Sequence, residues 1–224
     1  MIYITGDMHG DIERISERRL KKLKEGDTLI VCGDFGFVWN GGETEKKLLK
    51  ELGDRKYNIL FVDGAHENHE LLNSYRLTVF NGGRVHRISG HLYHACRGEV
   101  FTIEDKKIFT FGGGESSDKD MRIENGMWYR EEMPDKAEME HAAVTLSENE
   151  LKVDYIVTHE PPSLVKSTML LRSGSIDSVN RLNGFLERIN RECVFKHWYF
   201  GAMHEDKIIT PVHTAVFEDI IPLS

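Results

Sequence analysis

One recurring pattern constrains what this chain can fold into: a short apolar run, then an aspartate or histidine, usually beside glycine. The first two runs span residues 2–5 and 28–32, and three similar runs follow further along the chain. The polar residues after the five runs are Asp7 and His9, Asp34, His66, His159 and His204. In open α/β folds the carboxyl ends of parallel strands share one edge, where sites are built. The pattern therefore predicts an α/β fold that brings these side chains together.

The stretches between these runs predict the remaining elements. Helical periodicity indicates helices at 11–24, at 44–52, at 134–150 and from Ser175 onward. Short β-rich runs joined by tight polar turns indicate antiparallel hairpins at 84–89, 91–96, 100–103 and 107–111. Residues 112–133 lack apolar periodicity, and a loop of that length is usually functional or disordered. With no repeat or linker in view, we expect a single α/β (α+β) domain over residues 1–224.

Composition limits the expected cellular context. The chain has 224 residues, 40% of them hydrophobic and 29% charged, and no apolar run approaches the length of a membrane span. No charged and apolar leader precedes the first strand, so we expect a cytoplasmic protein that does not bind membranes. The cysteines at positions 32, 96 and 193 are widely spaced, which favours reduced core residues over disulfides.

The charge balance restricts the partners. A net charge of −8 argues against broad electrostatic attraction to nucleic acid or to an anionic membrane. It leaves a phosphate ester open as the substrate, because bound dications make a site locally positive. A small phosphate compound or a nucleotide is therefore favoured over duplex DNA, although a nuclease stays possible on charge alone.

The six residues after the apolar runs suit a metal site. Histidine and carboxylate ligands without cysteine favour manganese, iron or zinc over magnesium or calcium. A site with two ions about 3.5–4 Å apart clamps the attacking and leaving oxygens of a phosphoryl displacement and lowers the pKa of bound water. Asp34 is the natural bridging ligand, because glycines beside it let the backbone come close. The remaining histidines follow no such pattern, and ordinary core or surface roles are expected for them.

The polar blocks resemble a known family. The blocks are Gly6-Asp7-Met8-His9-Gly10, Gly33-Asp34, Gly64-x-His66-Glu67, Thr158-His159 and Gly201-x-x-His204. In order and spacing they are similar to the motifs of calcineurin-like metallophosphoesterases. The resemblance implies a four-layer αββα sandwich and a divalent two-metal site, with manganese the most expected ion. It also implies that Asp7, His9 and His204 hold the first ion, that Asp34 bridges, that His159 holds the second, and that His66 is the general acid.

Two positions depart from the family pattern. Ala65 stands where the family has a metal-binding asparagine, and Ala202 stands where it has a histidine. Both changes fall on the second ion, so we expect that ion to bind weakly and hydrolysis to be strongly reduced. One shared cause is favoured, either deliberate substitution in an active enzyme or natural loss. The expected activity is metal-dependent hydrolysis of phosphate monoesters or diesters; the alternative is a non-catalytic metal-binding or scaffold protein that retains the fold.

Two further features leave alternatives open. The second block lacks the aspartate and arginine that many family phosphatases place after it, so Glu67 or a residue of another loop would have to orient His66. Residues 112–133 include Arg122 and Trp128. One hypothesis is a substrate-binding lid in which Arg122 meets phosphate and Trp128 covers a base or ring. The other hypothesis is an ordinary surface loop in which Trp128 packs into the core.

Overall fold

The computed structural model describes residues 1–173 and 179–223, and its strands form two mixed sheets. In chain order the strands are β1 (Ile2–Thr5), β2 (Thr28–Cys32), β3 (Asn58–Val62), β4 (Arg76–Phe80), β5 (Gly83–Ser89), β6 (Leu92–Ala95), β7 (Glu99–Ile103), β8 (Lys106–Phe111), β9 (Tyr155–Thr158), β10 (His197–Phe200), β11 (Lys207–Thr210), β12 (His213–Ala215) and β13 (Ile221–Pro222). The first sheet has the order β13-β1-β2-β3-β6-β5-β4, and the second has the order β11-β12-β10-β9-β8-β7.

Helices connect and cover the strands. They are α1 (Glu17–Leu20), α2 (Glu43–Gly53), α3 (His69–Ser74), α4 (Lys119–Glu124), α5 (Lys136–Glu148), α6 (Ser163–Ser173) and α7 (Arg181–Glu192), with a short 3₁₀ turn at Arg130–Glu132. Asp135 and Asn180 begin α5 and α7 with reciprocal capping boxes, which satisfy free backbone N–H groups at the helix starts. Among the described residues, no helix combines the length and apolarity needed to cross a bilayer.

Alternating side chains divide the core into three hydrophobic clusters. Along β2, Leu29 and Val31 pack toward the helices beside the first sheet, whereas Ile30 packs between the two sheets. On the far side of the second sheet, Trp198 and Phe200 pack in a third cluster with residues of α5 and α7. Strands buried on both faces need apolar residues at every position, which explains their continuous apolar runs. The predicted four-layer αββα sandwich is therefore confirmed.

Strand register aligns the loops that bear the polar residues. In the first sheet β1, β2 and β3 are parallel, and Cys32 at the end of β2 pairs with Val62 at the end of β3. In the second sheet β8, β9 and β10 are parallel, with Phe111 and Phe200 both paired to Thr158. Residues directly after these strands therefore emerge level with one another.

The predicted helix at 11–24 is wrong in extent, because only Glu17–Leu20 is helical. The Asp11 carboxylate accepts the Glu13 N–H two residues on, and the Arg14 and Ser16 N–H groups bond three residues back. Successive turns of this kind compete with a continuous helix.

Other differences concern elements whose sequences show no clear periodic pattern of apolar residues. Apolar periodicity does not predict β4, α3 or α6, and residues 112–133 are predicted only as a loop although α4 lies within them. Residues 77 and 79 of β4 are exposed, so this edge strand shows little burial pattern. The predicted helix start at Ser175 lies outside the described residues, and α7 begins at Arg181.

Candidate metal centre

Six side chains from five loops meet at the level carboxyl ends of the parallel strands. They are Asp7 and His9 after β1, Asp34 after β2, His66 after β3, His159 after β9 and His204 after β10, and we call them the six-residue cluster. Each has a polar atom within 3.9 Å of another member. The fold thus brings together every residue that the sequence proposed as a metal ligand or general acid.

Asp7 is the most deeply placed member. It is fully buried, yet neither carboxylate oxygen accepts a hydrogen bond from the described residues. Its Oδ2 lies 3.2 Å from His204 Nε2, and its Oδ1 lies 3.4 Å from His159 Nδ1. Burial alone would raise the pKa of Asp7, but the two histidines outweigh burial and hold the pKa below its usual value. Buried oxygens without donors are costly, so this carboxylate fits a cation ligand.

Two groups of donors converge closely enough to share an ion. His9 and His204 face each other with 3.0 Å between their Nε2 atoms. The donor atoms of Asp7, His9 and His204 all lie within 4.8 Å of one another, as do those of His9, Asp34 and His66. A set of carboxylates and imidazoles is the chemistry that transition-metal dications bind. The residues present therefore fit a divalent metal.

Asp34 belongs to the second donor group, and His9 is the residue common to both groups. Its Oδ1 accepts the His66 backbone N–H at 2.8 Å, its Oδ2 lies 2.8 Å from His66 Nδ1, and His9 Nδ1 lies 3.8 Å away. Burial would raise the pKa of Asp34, but His159 and His66 outweigh it and lower that pKa. Asp34 is therefore ionised, which is the form in which a carboxylate binds a cation.

His159 reaches the cluster from the second sheet. It is buried, its Nδ1 lies 3.2 Å from the Cys32 carbonyl oxygen, and its Nε2 lies 3.9 Å from Asp34 Oδ1. Burial lowers the pKa of His159, but Asp34 and Asp7 outweigh burial and raise it to about 10. A metal ligand must be neutral imidazole, so a cation that binds here displaces a proton.

Glycines make room for the carboxylates. A Cβ on Gly201 would lie 2.1 Å from Asp7 Oδ1, and a Cβ on Gly64 would lie 2.0 Å from Asp34 Oδ1. Real Cβ atoms do not approach so closely, so any side chain at either position would push the carboxylate away. Gly64 and Gly201 of the sequence blocks are thus explained by packing against carboxylates from other loops.

Several residues of the cluster loops have positive φ angles. His9, Asp34, Ala202 and His204 have φ values of 49°, 40°, 55° and 48°. Non-glycine residues are uncommon at positive φ, and such strain persists where surrounding structure imposes it, often at functional sites. The loops therefore adopt costly conformations that aim side chains inward.

The His66 loop is held from three sides. The buried Glu67 carboxylate accepts the backbone N–H groups of Phe35 and Gly36 at 2.6 and 3.3 Å, so Glu67 is not the group that orients His66. Arg122 Nη1 donates to the Ala65 carbonyl oxygen at 2.9 Å. The His66 Nε2 atom lies 3.3 Å from Asp118 Oδ1. No sequence pattern predicts this contact with Asp118.

The structure places the two proposed lid residues differently. Arg122 is 3% exposed, and its Nη1 and Nη2 donate to the carbonyl oxygens of Ala65 and Met127. Trp128 is half-buried, and the Lys119 ammonium lies 4.7 Å from its ring centroid. Arg122 thus braces the His66 loop from α4, and its contact with a substrate phosphate stays a prediction, as does the role of Trp128.

Two supporting groups were also missed. The buried Arg14 donates to the carbonyl oxygens of Asp7 and Phe217, which ties the first ligand loop to the end of the chain. Asp63 accepts hydrogen bonds from Arg97 at the edge of a cavity of about 1000 Å³. His94 donates toward Asp63 over 3.3 Å. Isolated arginines and histidines outside the repeated pattern offered no sequence signal for these contacts.

Comparison with known proteins places this centre in a family. No curated protein matches the chain. One solved structure similar to this chain is that of a protein serine/threonine phosphatase from Saccharomyces cerevisiae with similarity to human phosphatase PP5. The two chains share 14% sequence identity and a TM-score of 0.41, and the similarity covers 96% of this chain. This chain spans 66% of the length of that phosphatase. The sequence pattern of the calcineurin-like phosphoesterases matches residues 1–205, and the chain belongs to that family.

Proposed function

We propose that the protein hydrolyses phosphate esters of small molecules or nucleotides in a reaction that depends on a divalent metal, with manganese the first choice and iron or zinc as alternatives. The observation that supports this proposal most is Asp7, a fully buried carboxylate whose oxygens accept no hydrogen bond from the described residues and lie close to imidazoles of two other loops. A cluster assembled only for stability would satisfy those oxygens with hydrogen bonds.

The residues have separate proposed roles. Asp7, His9 and His204 would hold a first ion, Asp34 would bridge, and His159 would hold a second. Bound cations would polarise the phosphoryl oxygens and activate water for attack. His66 would donate a proton to the leaving oxygen, and two observations support this role: its ring lies beside Asp34, with 2.8 Å between Nδ1 and Oδ2, and its side chain is 35% exposed.

The second ion is proposed to bind weakly in this chain. Ala65 is buried and Ala202 is half-buried, and neither methyl group has a lone pair to offer a cation. Loss of a supporting partner of a metal ligand typically costs about 10–100-fold in affinity or activity, and loss of a ligand itself costs more. Hydrolysis is therefore expected to be strongly reduced while the first ion stays bound.

A turnover assay tests the proposal. The unmodified chain and the double variant Ala65→Asn, Ala202→His are assayed with Mn²⁺ on a nitrophenyl phosphate monoester and diester. We expect weak turnover in the first and a gain of at least about 100-fold in the second. The matched control is Ala143→His, which adds an imidazole at an exposed site of α5 and should not change turnover. No turnover by the double variant on either ester would contradict the proposal.

The second candidate function is a non-catalytic protein that binds one metal. The observation that favours it is the pair Ala65 and Ala202, which affects a single ion and leaves the first donor group complete. The same experiment separates the two functions. One tightly bound ion per chain, with no turnover even after restoration of both ligands, would favour the non-catalytic protein.

A further inference from the structure

His204 is the most exposed of the side chains assigned to the first ion, with 52% of its side chain open to solvent. Its Nε2 lies 3.2 Å from Asp7 Oδ2 and 3.0 Å from His9 Nε2. A histidine that binds a metal ordinarily donates its second ring N–H to a carboxylate, a backbone carbonyl or water, which fixes the plane of the ring. Within residues 1–173 and 179–223 no protein group outside the six-residue cluster forms a hydrogen bond with His204. The orientation of this ring therefore needs another source.

An aromatic ring supplies that orientation. The Phe217 ring stacks on the His204 imidazole, with 4.8 Å between the ring centroids and 18° between the ring planes. Aromatic pairs at this separation attract each other through their faces and edges, and a near-parallel pair restricts the tilt of both rings. The stack therefore fixes the plane of the imidazole while Nε2 stays directed at Asp7 and His9.

The same phenyl ring also contacts the loop that carries Asp7. The Arg14 guanidinium carbon lies 4.8 Å from the Phe217 ring centroid, a cation–π distance. Arg14 also donates hydrogen bonds to the carbonyl oxygens of Asp7 and Phe217. Phe217 thus connects the loop after β1 with the loop after β10, and both of these loops carry residues assigned to the first ion.

The backbone around Phe217 is anchored on both sides. The Phe217 carbonyl oxygen accepts the Gly6 N–H at 3.0 Å, directly after β1. The Asp206 carboxylate, two residues after His204, accepts the Phe217 N–H at 2.7 Å and the N–H groups of the next two residues at 2.8 and 3.2 Å. A side chain that positions a functional group must be locked by such surrounding contacts. These hydrogen bonds hold the phenyl ring against the imidazole.

We propose that Phe217 is a positioning residue that holds the His204 imidazole in the plane in which Nε2 binds the first divalent cation. The inference rests on the proposed function for the metal itself. Phe217 lies beyond residue 205, where the match to the family pattern ends, so family membership assigns it no role. Without the phenyl ring the exposed imidazole would have more freedom to lose when a cation binds, and affinity for the ion would fall.

A spectroscopic experiment tests the stack without any metal. The carbon-bound ring protons of His204 are recorded in the unmodified chain, Phe217→Leu and Phe217→Tyr, at a pH about two units above the ordinary histidine pKa of about 6.5, and are assigned with His204→Gln. Protons above the face of an aromatic ring resonate upfield. We expect upfield His204 resonances, relative to the exposed His91, in the unmodified chain and Phe217→Tyr, and their return toward the His91 values in Phe217→Leu. Equal resonances of His204 and His91 in the unmodified chain would overturn the proposal.

Titration with Mn²⁺ in a calorimeter tests the effect of the stack on the ion. Phe217→Leu should weaken Mn²⁺ binding by about 2- to 10-fold, the range that the energy of an aromatic pair allows. Phe217→Tyr, which keeps the ring, should bind Mn²⁺ as the unmodified chain does. Phe217→Met replaces Phe217→Leu if the latter does not fold.

The matched control is Phe195→Leu, which separates positioning from a general structural role. Phe195 is also half-buried, packs edge-on against Trp198 with 5.6 Å between ring centroids, and precedes β10, whereas His204 follows that strand. Phe195→Leu should lower stability in urea unfolding about as much as Phe217→Leu does, but should leave Mn²⁺ affinity unchanged. Unchanged affinity in Phe217→Leu, or an equal loss in Phe195→Leu, would overturn the positioning role.

The two experiments distinguish this inference from the proposed function. If Mn²⁺ binds to the unmodified chain and Phe217→Leu binds it equally well, the positioning role fails while the proposed metal site stands. If the unmodified chain binds no Mn²⁺, the proposed function fails, and the ring resonances of the metal-free chain alone decide whether Phe217 holds His204.

Discussion

Ala65 and His159 lie beside the same glycine: a Cβ on Gly114 would be 3.4 Å from the Ala65 Cβ and 3.2 Å from His159 Nε2. The methyl group at position 65 therefore lies near the imidazole that the family resemblance assigns to the second ion. An asparagine side chain at position 65 would extend toward His159, so this position is suited to a metal ligand.

The first prediction concerns ligand restoration. Ala202 has a φ of 55°, a conformation in which histidine is several-fold enriched relative to most residues, so Ala202→His adds no new backbone strain. We expect the double variant Ala65→Asn, Ala202→His to bind two Mn²⁺ ions per chain, against one in the unmodified chain. Titration with Mn²⁺ in a calorimeter measures the number of ions bound per chain. Two tightly bound ions in the unmodified chain would show that the alanines do not weaken the second site.

The second prediction concerns Gly201. Gly201→Ala places a Cβ 2.1 Å from Asp7 Oδ1 and 2.3 Å from the Cys32 carbonyl oxygen, so the carboxylate must move. We expect Mn²⁺ affinity to fall by at least about 10-fold and stability by about 1–3 kcal/mol. The control is Gly184→Ala in α7, where an added Cβ meets no atom within 4 Å. That change should stabilise the protein by about 0.5–1 kcal/mol and leave metal affinity unchanged.

The third prediction separates the two readings of Arg122. As a brace with buried partners, Arg122→Ala removes hydrogen bonds to two carbonyl oxygens and leaves Glu132 with one fewer cationic neighbour. We expect a loss of about 2–4 kcal/mol in urea unfolding and a lower kcat with little change in KM. The exposed Arg130→Ala is the control. A large rise in KM at unchanged stability would instead support direct contact with phosphate.

The fourth prediction concerns acid stability and His213, which lies far from the cluster in β12. His213 is buried between the Thr210 hydroxyl and the Asn190 side-chain oxygen, and burial together with His197 lowers its pKa to about 4, against 6.5 in the unfolded chain. Between pH 6.5 and 4, His213 binds a proton more readily in the unfolded chain than in the folded one. Stability is therefore greatest above pH 6.5 and falls as the pH drops toward 4. The contribution is at most about 3 kcal/mol.

Urea unfolding at several pH values measures this effect. His213→Gln should flatten the fall in stability between pH 6.5 and 4, whereas His91→Gln, at an exposed histidine, should leave the slope unchanged. The Glu187 carboxylate favours the charged imidazole and so limits how far burial lowers the pKa of His213. An unchanged slope in His213→Gln would show that other groups dominate the pH dependence.

Local patterns predicted most of the sheet framework. The run at 28–32 is continuous and apolar because both faces of the strand are buried, and the structure has a strand with the same bounds. The exposed edge strand β4 and the turns at 11–16 were not predicted, because their conformations depend on contacts that apolar periodicity does not report. The candidate ligands were identified for a different reason, since each stands at the end of a recognisable strand.

The sequence by itself determined the donors and their order: two carboxylates and four imidazoles, each next to a strand end and several beside glycine. Only the tertiary structure decided which residues support them. Asp118 lies 52 positions from His66, and Arg122 lies 57 positions from Ala65. The physical reason is that strand and helix patterns arise from neighbours a few residues apart, whereas these contacts form only after two sheets and a connecting helix have packed together.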